Sequence, residues 1–334
     1  MKKTILSLVI LSFFACKTEV KKEEASSTSS HEEISKKQQT YAELSIREGD
    51  DWKPEKFGGG AFMNVDSLQL PEGHSDHAYY IRYEGPGWEN AHVGYRLYLD
   101  WRNAIDIFGK KVDSIVLPYV GQDDYERYHH ESPWGQDILK AGKSLGIGSY
   151  GQFINDTMVH FKNVDKTVCS VKNHQNSSDV IIDYDGWKTA EKTINLDAKL
   201  TIFPNGRYTK TTLTPSEEIT GLCTGIVKFK DIPLQQKTAE NGSWAYIATY
   251  GTQTLVNKED KLGMAIFYKT SEVANTTEGP FDHLVIFKPT TQPINYYFSA
   301  AWEQEKNGIT SEEAFYASLN EQLKKLATSG SLNE

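Results

Sequence analysis

Cysteine is scarce in this chain, and that scarcity narrows the possible folds. Only Cys16, Cys169 and Cys223 occur, too few for a disulfide scaffold. They form no cluster with metal-ligand spacing, so a cysteine-based zinc site is excluded. Cys169 and Cys223 can pair in an oxidising compartment or stay as buried thiols, and we expect them to be unpaired.

Positive charge is also in short supply. The chain has 36 lysine and arginine residues against 45 aspartate and glutamate residues, a formal net charge of −9. A nucleic-acid-binding protein would need a basic stripe, so this class is disfavoured. An acidic protein can still bind an anionic sugar where cations gather locally.

Several motifs of common enzyme classes are missing. There is no cysteine–histidine motif, so a cysteine hydrolase is unsupported. Neither a GxxxxGK[ST] loop nor a GxGxxG after a strand is present, although Lys140 and Lys143 precede the run Gly146-Ile147-Gly148. We interpret these glycines as tight turns that bring backbone close to a ligand or another strand.

The one long apolar run lies at the N-terminus, from Ile5 to Ala15 after two lysines. It is too short to span a bilayer and is typical of a secretory signal. The segment Phe13–Cys16 is a loose lipobox. We predict a signal peptide over residues 1–15 and lipidation of Cys16, with the protein anchored in the bacterial envelope, at the outer membrane, facing the periplasm or the cell surface. Ordinary secretion is the alternative.

The segment from Lys17 to about Tyr41 has almost no apolar residues, which predicts a flexible tether over residues 16–44. Residues 45–334 are expected to form a single domain. Alternating apolar residues and turn signals there predict many short strands, and apolar residues at helical spacing predict a C-terminal helix capped by Ser311. The expected strands are Ala78–Tyr83, Val93–Asp100, Val112–Leu117, Lys199–Phe203, Arg207–Leu213, Thr224–Phe229, Trp244–Tyr250, Gly263–Tyr268, Leu284–Phe287 and Tyr296–Trp302. The predicted fold class is therefore all-β, a large antiparallel sandwich with a short C-terminal helix.

Acids, bases and aromatics are concentrated between Glu84 and Gly151, the expected cleft. If the strand from Val93 continues past Asp100, then Arg96, Tyr98, Asp100 and Arg102 share one face. Two arginines on a face can clamp a carboxylate or sulfate. Tyr98 can donate or accept a proton if the neighbouring cations lower its pKa. A solvated ladder of ion pairs is the alternative.

His129 and His130 precede Trp134 in the same stretch. Histidine exchanges protons near neutrality, and a tryptophan offers a flat face to a sugar ring. A solvated loop is the alternative interpretation. His74 and His77 have a spacing that can hold a metal on a helix, but their surroundings indicate a loop and no third ligand is evident. Residues Asp137–Lys143 are a candidate for one or two helical turns.

Many carboxylates lie in the same region, and their separation cannot be deduced from sequence, so a two-carboxylate glycosidase stays open. They are Glu84, Glu89, Asp100, Asp106, Asp123, Asp124, Glu131 and Asp137.

Three strings resemble the signature blocks of the DUF4861 family: GPGWEN, YRLYLDWRNAIDIFGKK and YHHESPWGQDILKAGKSLGIG. The later segments TGIVKF, YGTQ, HLVIFKP and YYFSAAWE agree, so the resemblance extends from about Asp51 to Leu326. Gln136 replaces the methionine usual in the family. Of the two adjacent histidines, the one matching His129 is the recurrent one.

The resemblance implies a secreted or lipid-anchored protein of polysaccharide breakdown, with a galactose-mutarotase-like supersandwich fold. One branch resembles a dehydratase that removes water across C4–C5 of the terminal glucuronic or iduronic acid of ulvan oligosaccharides. No redox cofactor is needed, and a metal is unsupported.

For that chemistry, His129 is the expected base and Tyr98 or Lys143 the acid. Arg96 and Arg102 would offset the substrate carboxylate, and Trp134 would stack on the sugar. Arg207 or Lys140 would meet a sulfate on the neighbouring rhamnose. The alternatives are a non-catalytic lipoprotein that captures oligosaccharides, and a polysaccharide lyase or glycoside hydrolase.

Overall fold

A computed structural model describes residues 39–49, 60–122 and 127–332. The predicted signal peptide, Cys16 and most of the tether therefore lie outside the described residues. The folded part begins earlier than residue 45, because Thr40–Glu43 already forms a strand of a sheet. Strands are numbered β1 to β21 in chain order within this part of the chain.

One sheet carries most of the polar residues singled out above. It has the antiparallel order β1-β5-β6-β7-β8. Its strands are β1 (Thr40–Glu43), β5 (Gly87–Asn90), β6 (Val93–Leu97), β7 (Ile105–Lys110) and β8 (Gly135–Asp137). We call it the site sheet.

The largest sheet is antiparallel and has nine strands in the order β16-β17-β18-β21-β14-β13-β12-β11-β4. These are β4 (Ser67–Gln69), β11 (Lys166–Asn173), β12 (Ser178–Lys188), β13 (Thr193–Ile202), β14 (Tyr208–Pro215), β16 (Gln235–Thr238), β17 (Trp244–Gly251), β18 (Leu262–Lys269) and β21 (Ile294–Trp302). In β13, Ile194, Leu196, Ala198, Leu200 and Ile202 are buried in alternation with exposed residues, as expected for a strand with one face on the core.

A third sheet has the order β10-β9-β15-β20-β19, and a two-stranded ribbon pairs β2 with β3. The bounds are β2 (Ser45–Arg47), β3 (Phe62–Asn64), β9 (Ile147–Ile154), β10 (Thr157–Val159), β15 (Leu222–Val227), β19 (Val273–Glu278) and β20 (Asp282–Phe287). Short 3-10 turns occupy Arg82–Glu84, Leu117–Tyr119, Arg127–His129 and Thr270–Glu272.

One apolar core joins the three large sheets. Trp88 of the site sheet, Leu200 of the nine-stranded sheet and Val285 of the third sheet belong to the same buried cluster. The other face of the nine-stranded sheet is covered by helix α1 (Glu312–Ser329), whose Phe315 and Leu319 pack on Tyr246 and its neighbours. The all-β expectation with antiparallel sheets and a C-terminal helix is confirmed.

The helix begins as predicted. The Ser311 side chain accepts a hydrogen bond from the Ala314 amide at 3.2 Å, and Gly330 ends the helix in a left-handed conformation. At 18 residues it is longer than the short helix expected. Cys169 and Cys223 are both buried and unpaired, as predicted.

Three local predictions are wrong. The segment Ala78–Tyr83 is not a strand, because Tyr83 and Glu84 adopt positive φ angles of 40° and 67° and turn the chain. Val112–Leu117 is not a strand either: a loop extends to Val116, and Leu117 begins a 3-10 turn that contains Pro118, which cannot donate to a ladder. No helical turn forms over Asp137–Lys143, since Asp137 ends β8.

Candidate active site

Three neighbouring strands bring one cation and two carboxylates together. In the β6–β7 register Arg96 lies directly opposite Asp106, and β8 adds Asp137 from the next strand. The Nη2 atom of Arg96 donates to Asp106 Oδ2 at 3.0 Å and to Asp137 Oδ2 at 2.7 Å. Both carboxylate side chains are only 1% exposed. We call this group the Arg96 centre.

The crowding of the two carboxylates changes the pKa of Asp106. Burial, and then the nearby Asp137 charge, raises the pKa of Asp106 to about 7, although Arg96 acts in the opposite direction. Asp106 Oδ1 and Arg96 Nε are buried and have no hydrogen-bond partner among the described residues. Because both carboxylates are buried against one nitrogen, no sugar ring fits between them. This pair does not have the arrangement of a two-carboxylate glycosidase.

Tyr98 extends the centre towards solvent. Its hydroxyl donates to Asp106 Oδ2 at 2.5 Å and accepts from Arg96 Nη2 at 2.8 Å. Burial raises the pKa of Tyr98 well above its usual value, and the Asp106 and Asp137 charges add to this against the effect of Arg96. The neighbouring cations therefore do not bring the pKa of Tyr98 below its usual value. Tyr98 is a neutral phenol and hence a proton donor.

His129 reaches the centre from the 3-10 turn Arg127–His129. Its Nδ1 lies 3.2 Å from Asp137 Oδ2, and its ring lies 4.4 Å from the Tyr128 ring, centroid to centroid. The Tyr128 hydroxyl in turn accepts a hydrogen bond from Arg96 Nη1 at 3.0 Å. The His129 side chain is 27% exposed. A carboxylate bound at Nδ1 fixes the orientation of the imidazole, as in many general bases.

Strand β6 ends at Leu97, yet the residues beyond it still gather around Tyr98. The guanidinium carbon of Arg102 lies 3.9 Å from the Tyr98 ring centroid. Its Nη2 contacts Asp100 Oδ2 at 2.5 Å and Glu84 Oε1 at 2.8 Å. Burial alone would raise the pKa of Glu84, but Arg96 and Arg102 lower it. The Arg102 side chain keeps 13% exposure, whereas the Arg96 side chain keeps 1%.

The remaining predicted site residues lie elsewhere. Arg207 binds Glu305 at 2.5 and 2.8 Å, and its carbonyl accepts from Tyr95, which neighbours Arg96 and projects from the opposite face of β6. The site sheet therefore separates Arg207 from the Arg96 centre. Lys140 and Lys143 are exposed on the loop after β8 and contact no member of the centre.

Trp134 packs edge-on against Phe108, with ring centroids 5.9 Å apart. It lines a cavity of about 210 Å³ together with Tyr119 and Tyr128. Tyr128 lines this cavity and also contacts Arg96, whereas His129 is not part of the cavity lining.

Sequence reasoning did not assign Asp106 and Asp137 their roles as partners of Tyr98 and His129. One signal was available for Asp106: a hairpin register that pairs Arg96 with Asp106 places the two side chains on the same face. Nothing in the sequence pairs Asp137 with His129, because the contact depends on the path of the intervening loop.

His74, one of the two histidines with metal-ligand spacing, contacts a backbone carbonyl. Its Nε2 lies 2.7 Å from the Leu99 carbonyl. In the described part of the chain, histidine, cysteine and carboxylate side chains form no group of three able to hold a metal ion. Within residues 39–49, 60–122 and 127–332, no helix has both the length and the apolar character needed to cross a membrane.

Comparison with known sequences assigns the family. The profile of the "Domain of unknown function (DUF4861)" matches residues 8–329. The chain belongs to this family, as its signature strings indicated. No curated protein matches it.

Solved structures are related only distantly. A putative aldose 1-epimerase from Klebsiella pneumoniae subsp. pneumoniae aligns over 88% of this chain and 97% of its own, with a TM-score of 0.36 and 7% identity. A 4-alpha-glucanotransferase from Thermococcus litoralis aligns over 64% of this chain and 36% of its own, with a TM-score of 0.29 and 8% identity. TM-scores and identities this low indicate nothing about the activity of this chain.

Proposed function

We propose that this protein is an oligosaccharide dehydratase. It would eliminate water across C4–C5 of the uronic acid at the non-reducing end of ulvan oligosaccharides. One observation carries the proposal: a single nitrogen of Arg96 contacts the Tyr98 hydroxyl, and also the carboxylate that holds His129. An acid and a base are thus fixed beside each other, and elimination from adjacent carbons requires both.

The proposed step balances as follows. His129 takes the C5 proton at Nε2, and the C5–H electron pair forms the C4=C5 double bond. The C4–O bond breaks, and the departing hydroxyl takes the Tyr98 proton and leaves as water. The cycle closes when the proton held by His129 returns to the Tyr98 oxygen through solvent. The high pKa of Tyr98 makes that return favourable.

The C5 proton is acidic because it is α to the substrate carboxylate, so a cation must offset the charge that develops there. Arg96 is buried among its own partners and acts instead as a positioning residue for Tyr98 and Asp137. Arg102 is the cation with exposed surface beside the Tyr98 ring, and we assign it this role.

Turnover of ulvan oligosaccharides with a saturated uronic acid at the non-reducing end tests the proposal. The full chain is kept in detergent, and ultraviolet absorbance of the unsaturated uronate is followed together with product mass. We expect rising absorbance and the loss of one water without chain cleavage. Cleavage products would indicate a lyase or hydrolase instead. Saturable binding without turnover would indicate a capture protein, and either outcome overturns the dehydratase.

We also propose the lipid anchor at Cys16, supported by the apolar run and lipobox before it. Cys16→Ser should move the protein from the membrane fraction to the soluble fraction. A variant that stays with the membrane would contradict the anchor.

A further inference from the structure

Lys143 and Lys162, which line a cavity together with Arg102, differ from Arg96 and Arg102 in their contacts. Lys143 and Lys162 take part in no ion pair or hydrogen bond with the described residues, and each lies instead over an aromatic ring. Lys162 Nζ is 4.5 Å from the Trp101 ring centroid, and Lys143 Nζ is 5.7 Å from that of Phe281. Their charges are therefore not neutralised by a carboxylate partner.

Both lysines line one cavity of about 370 Å³. Its walls come from the loops that follow β6, β8 and β10, and from the turn between β19 and β20. Gly142 adopts a φ of +61° and turns the chain just before Lys143. This volume lies in the range of small-molecule sites, and loops held by a rigid sheet commonly carry such sites. We call it the Lys143–Lys162 cavity.

The aromatic walls are suited to a sugar ring. Phe281 is 46% exposed, one of few large apolar side chains on the described surface. Trp101 is held by His160, whose ring packs edge-on against it at 5.8 Å and whose Nδ1 lies 3.0 Å from the Arg102 carbonyl. Burial lowers the pKa of His160. This histidine is thus a neutral support for the tryptophan at pH 7.

Two carboxylates, Asp156 and Asp282, share the lining. Asp282 accepts a hydrogen bond from the Leu145 amide at 2.8 Å, and burial raises its pKa to about 7. A large part of its charge is therefore absent at neutral pH. The positive charges of the two lysines therefore exceed the remaining negative charge of the two carboxylates, and Arg102 also lines the cavity.

We propose that the Lys143–Lys162 cavity binds a sugar ring that carries a sulfate or carboxylate group. The two ammonium groups would meet the oxyanion, and Trp101 and Phe281 would contact the ring. Because Arg102 lines the cavity and also contacts Tyr98, the bound ring would be the unit next to the one at the Arg96 centre. The choice of a carbohydrate rests on the proposed function.

Calorimetry on the full chain in detergent tests the inference. The probes are an intact ulvan oligosaccharide, its desulfated form and its carboxyl-reduced form. The variants are Lys143→Ala/Lys162→Ala and a control, Lys237→Ala/Lys258→Ala, which removes the same charge from exposed positions outside the cavity. We expect the cavity variant to weaken binding of the intact oligosaccharide about tenfold or more. The control should bind like the unmodified protein.

The chemical forms identify the oxyanion. If the cavity variant loses its defect only with the desulfated probe, the lysines bind sulfate. If it does so only with the carboxyl-reduced probe, they bind a carboxylate.

Phe281→Ala should also weaken binding, whereas Met63→Ala, at a similarly exposed apolar position, should not. Equal affinities of the cavity variant and the control overturn the inference, as does a lack of binding by the unmodified protein.

Failure of the inference and failure of the proposed function can be distinguished. Binding that depends on the two lysines, without release of water, would leave the cavity assigned and remove the dehydratase. Normal turnover, with an affinity that does not depend on the two lysines, would support the dehydratase and remove the assignment of the cavity.

Discussion

The Arg96 centre and the Lys143–Lys162 cavity both contain cations, but they use them differently. Arg96 is buried, and its guanidinium donates to the side chains of Tyr98, Tyr128, Asp106 and Asp137 and to the Tyr83 carbonyl. In the cavity, the two lysines lie over aromatic rings and pair with no described carboxylate.

This difference indicates that the two groups of cations have different roles. A buried charge must be neutralised within the protein, because its desolvation is otherwise too costly. Arg96 can therefore orient catalytic groups but cannot bind substrate. An exposed, unpaired ammonium keeps its hydration at little cost and can exchange water for an anionic ligand. Substitutions in the two regions should consequently affect different measurements.

The largest expected effect is on turnover. His129→Ala should lower the rate of unsaturated uronate formation by about 10² to 10⁴-fold, the range of general acid–base catalysis. The thermal melt should be almost unchanged, because the side chain is partly exposed. His130→Ala, at the exposed neighbouring position, is the matched control and should keep its rate. Near-full activity of His129→Ala would remove the base assignment.

The second prediction concerns stability. Arg96→Met should cost roughly 3–5 kcal/mol in the free energy of unfolding, because Asp106 and Asp137 would stay buried without their cation. Lys143→Met should change it by no more than about 0.5 kcal/mol, as is usual at exposed positions. Urea unfolding measures both. Similar values for the two variants would contradict the contrast between the two regions.

A smaller effect is expected for the acid. Tyr98→Phe should lower turnover by about 10²-fold, since the departing hydroxyl would lose its proton donor. Tyr95→Phe is the control: its hydroxyl donates to the Arg207 carbonyl at 3.0 Å on the other face of β6. Each variant loses the two hydrogen bonds of one hydroxyl, each worth about 1 kcal/mol. If both keep full turnover, Tyr98 is not the acid.

The smallest effect is a change in pH dependence. The folded-state pKa of Asp282 is about 7, above its ordinary 3.8, so the folded state holds a proton that the unfolded state releases. Stability contributed by Asp282 therefore falls as pH rises from about 4 to about 7. Asp282→Asn should reduce the difference in melting temperature between pH 5 and pH 8. Asp156→Asn, at an exposed position of the same cavity, should leave this temperature difference unchanged. Equal changes in the two variants would contradict the prediction.

Much of the fold was predictable from local patterns. The strand prediction for Gly263–Tyr268 is confirmed within β18, and the helix start at Ser311 is confirmed at its cap. Errors occurred where tertiary contacts override a local pattern. The pattern of Ala78–Tyr83 predicts a strand, but Arg82 and Tyr83 bind Glu43 instead of pairing in a sheet.

The site was partly predictable as well. Period-two spacing correctly grouped Arg96, Tyr98 and Arg102, although β6 ends at Leu97. The same spacing could not reveal that Arg96 is buried and unable to clamp a ligand. Nor could the spacing show that burial outweighs the neighbouring cations and raises the pKa of Tyr98.

The sequence by itself determined the family, the strand-rich class of the fold, the helix cap and the residue types around His129, because each depends on neighbours a few positions apart. Only the tertiary structure decided which charges are paired. That Asp137 meets His129, and that Lys143 and Lys162 share a cavity with Phe281, depends on strand register and on loops converging from distant segments. Burial then sets the pKa of each group, and burial is a property of the packed chain.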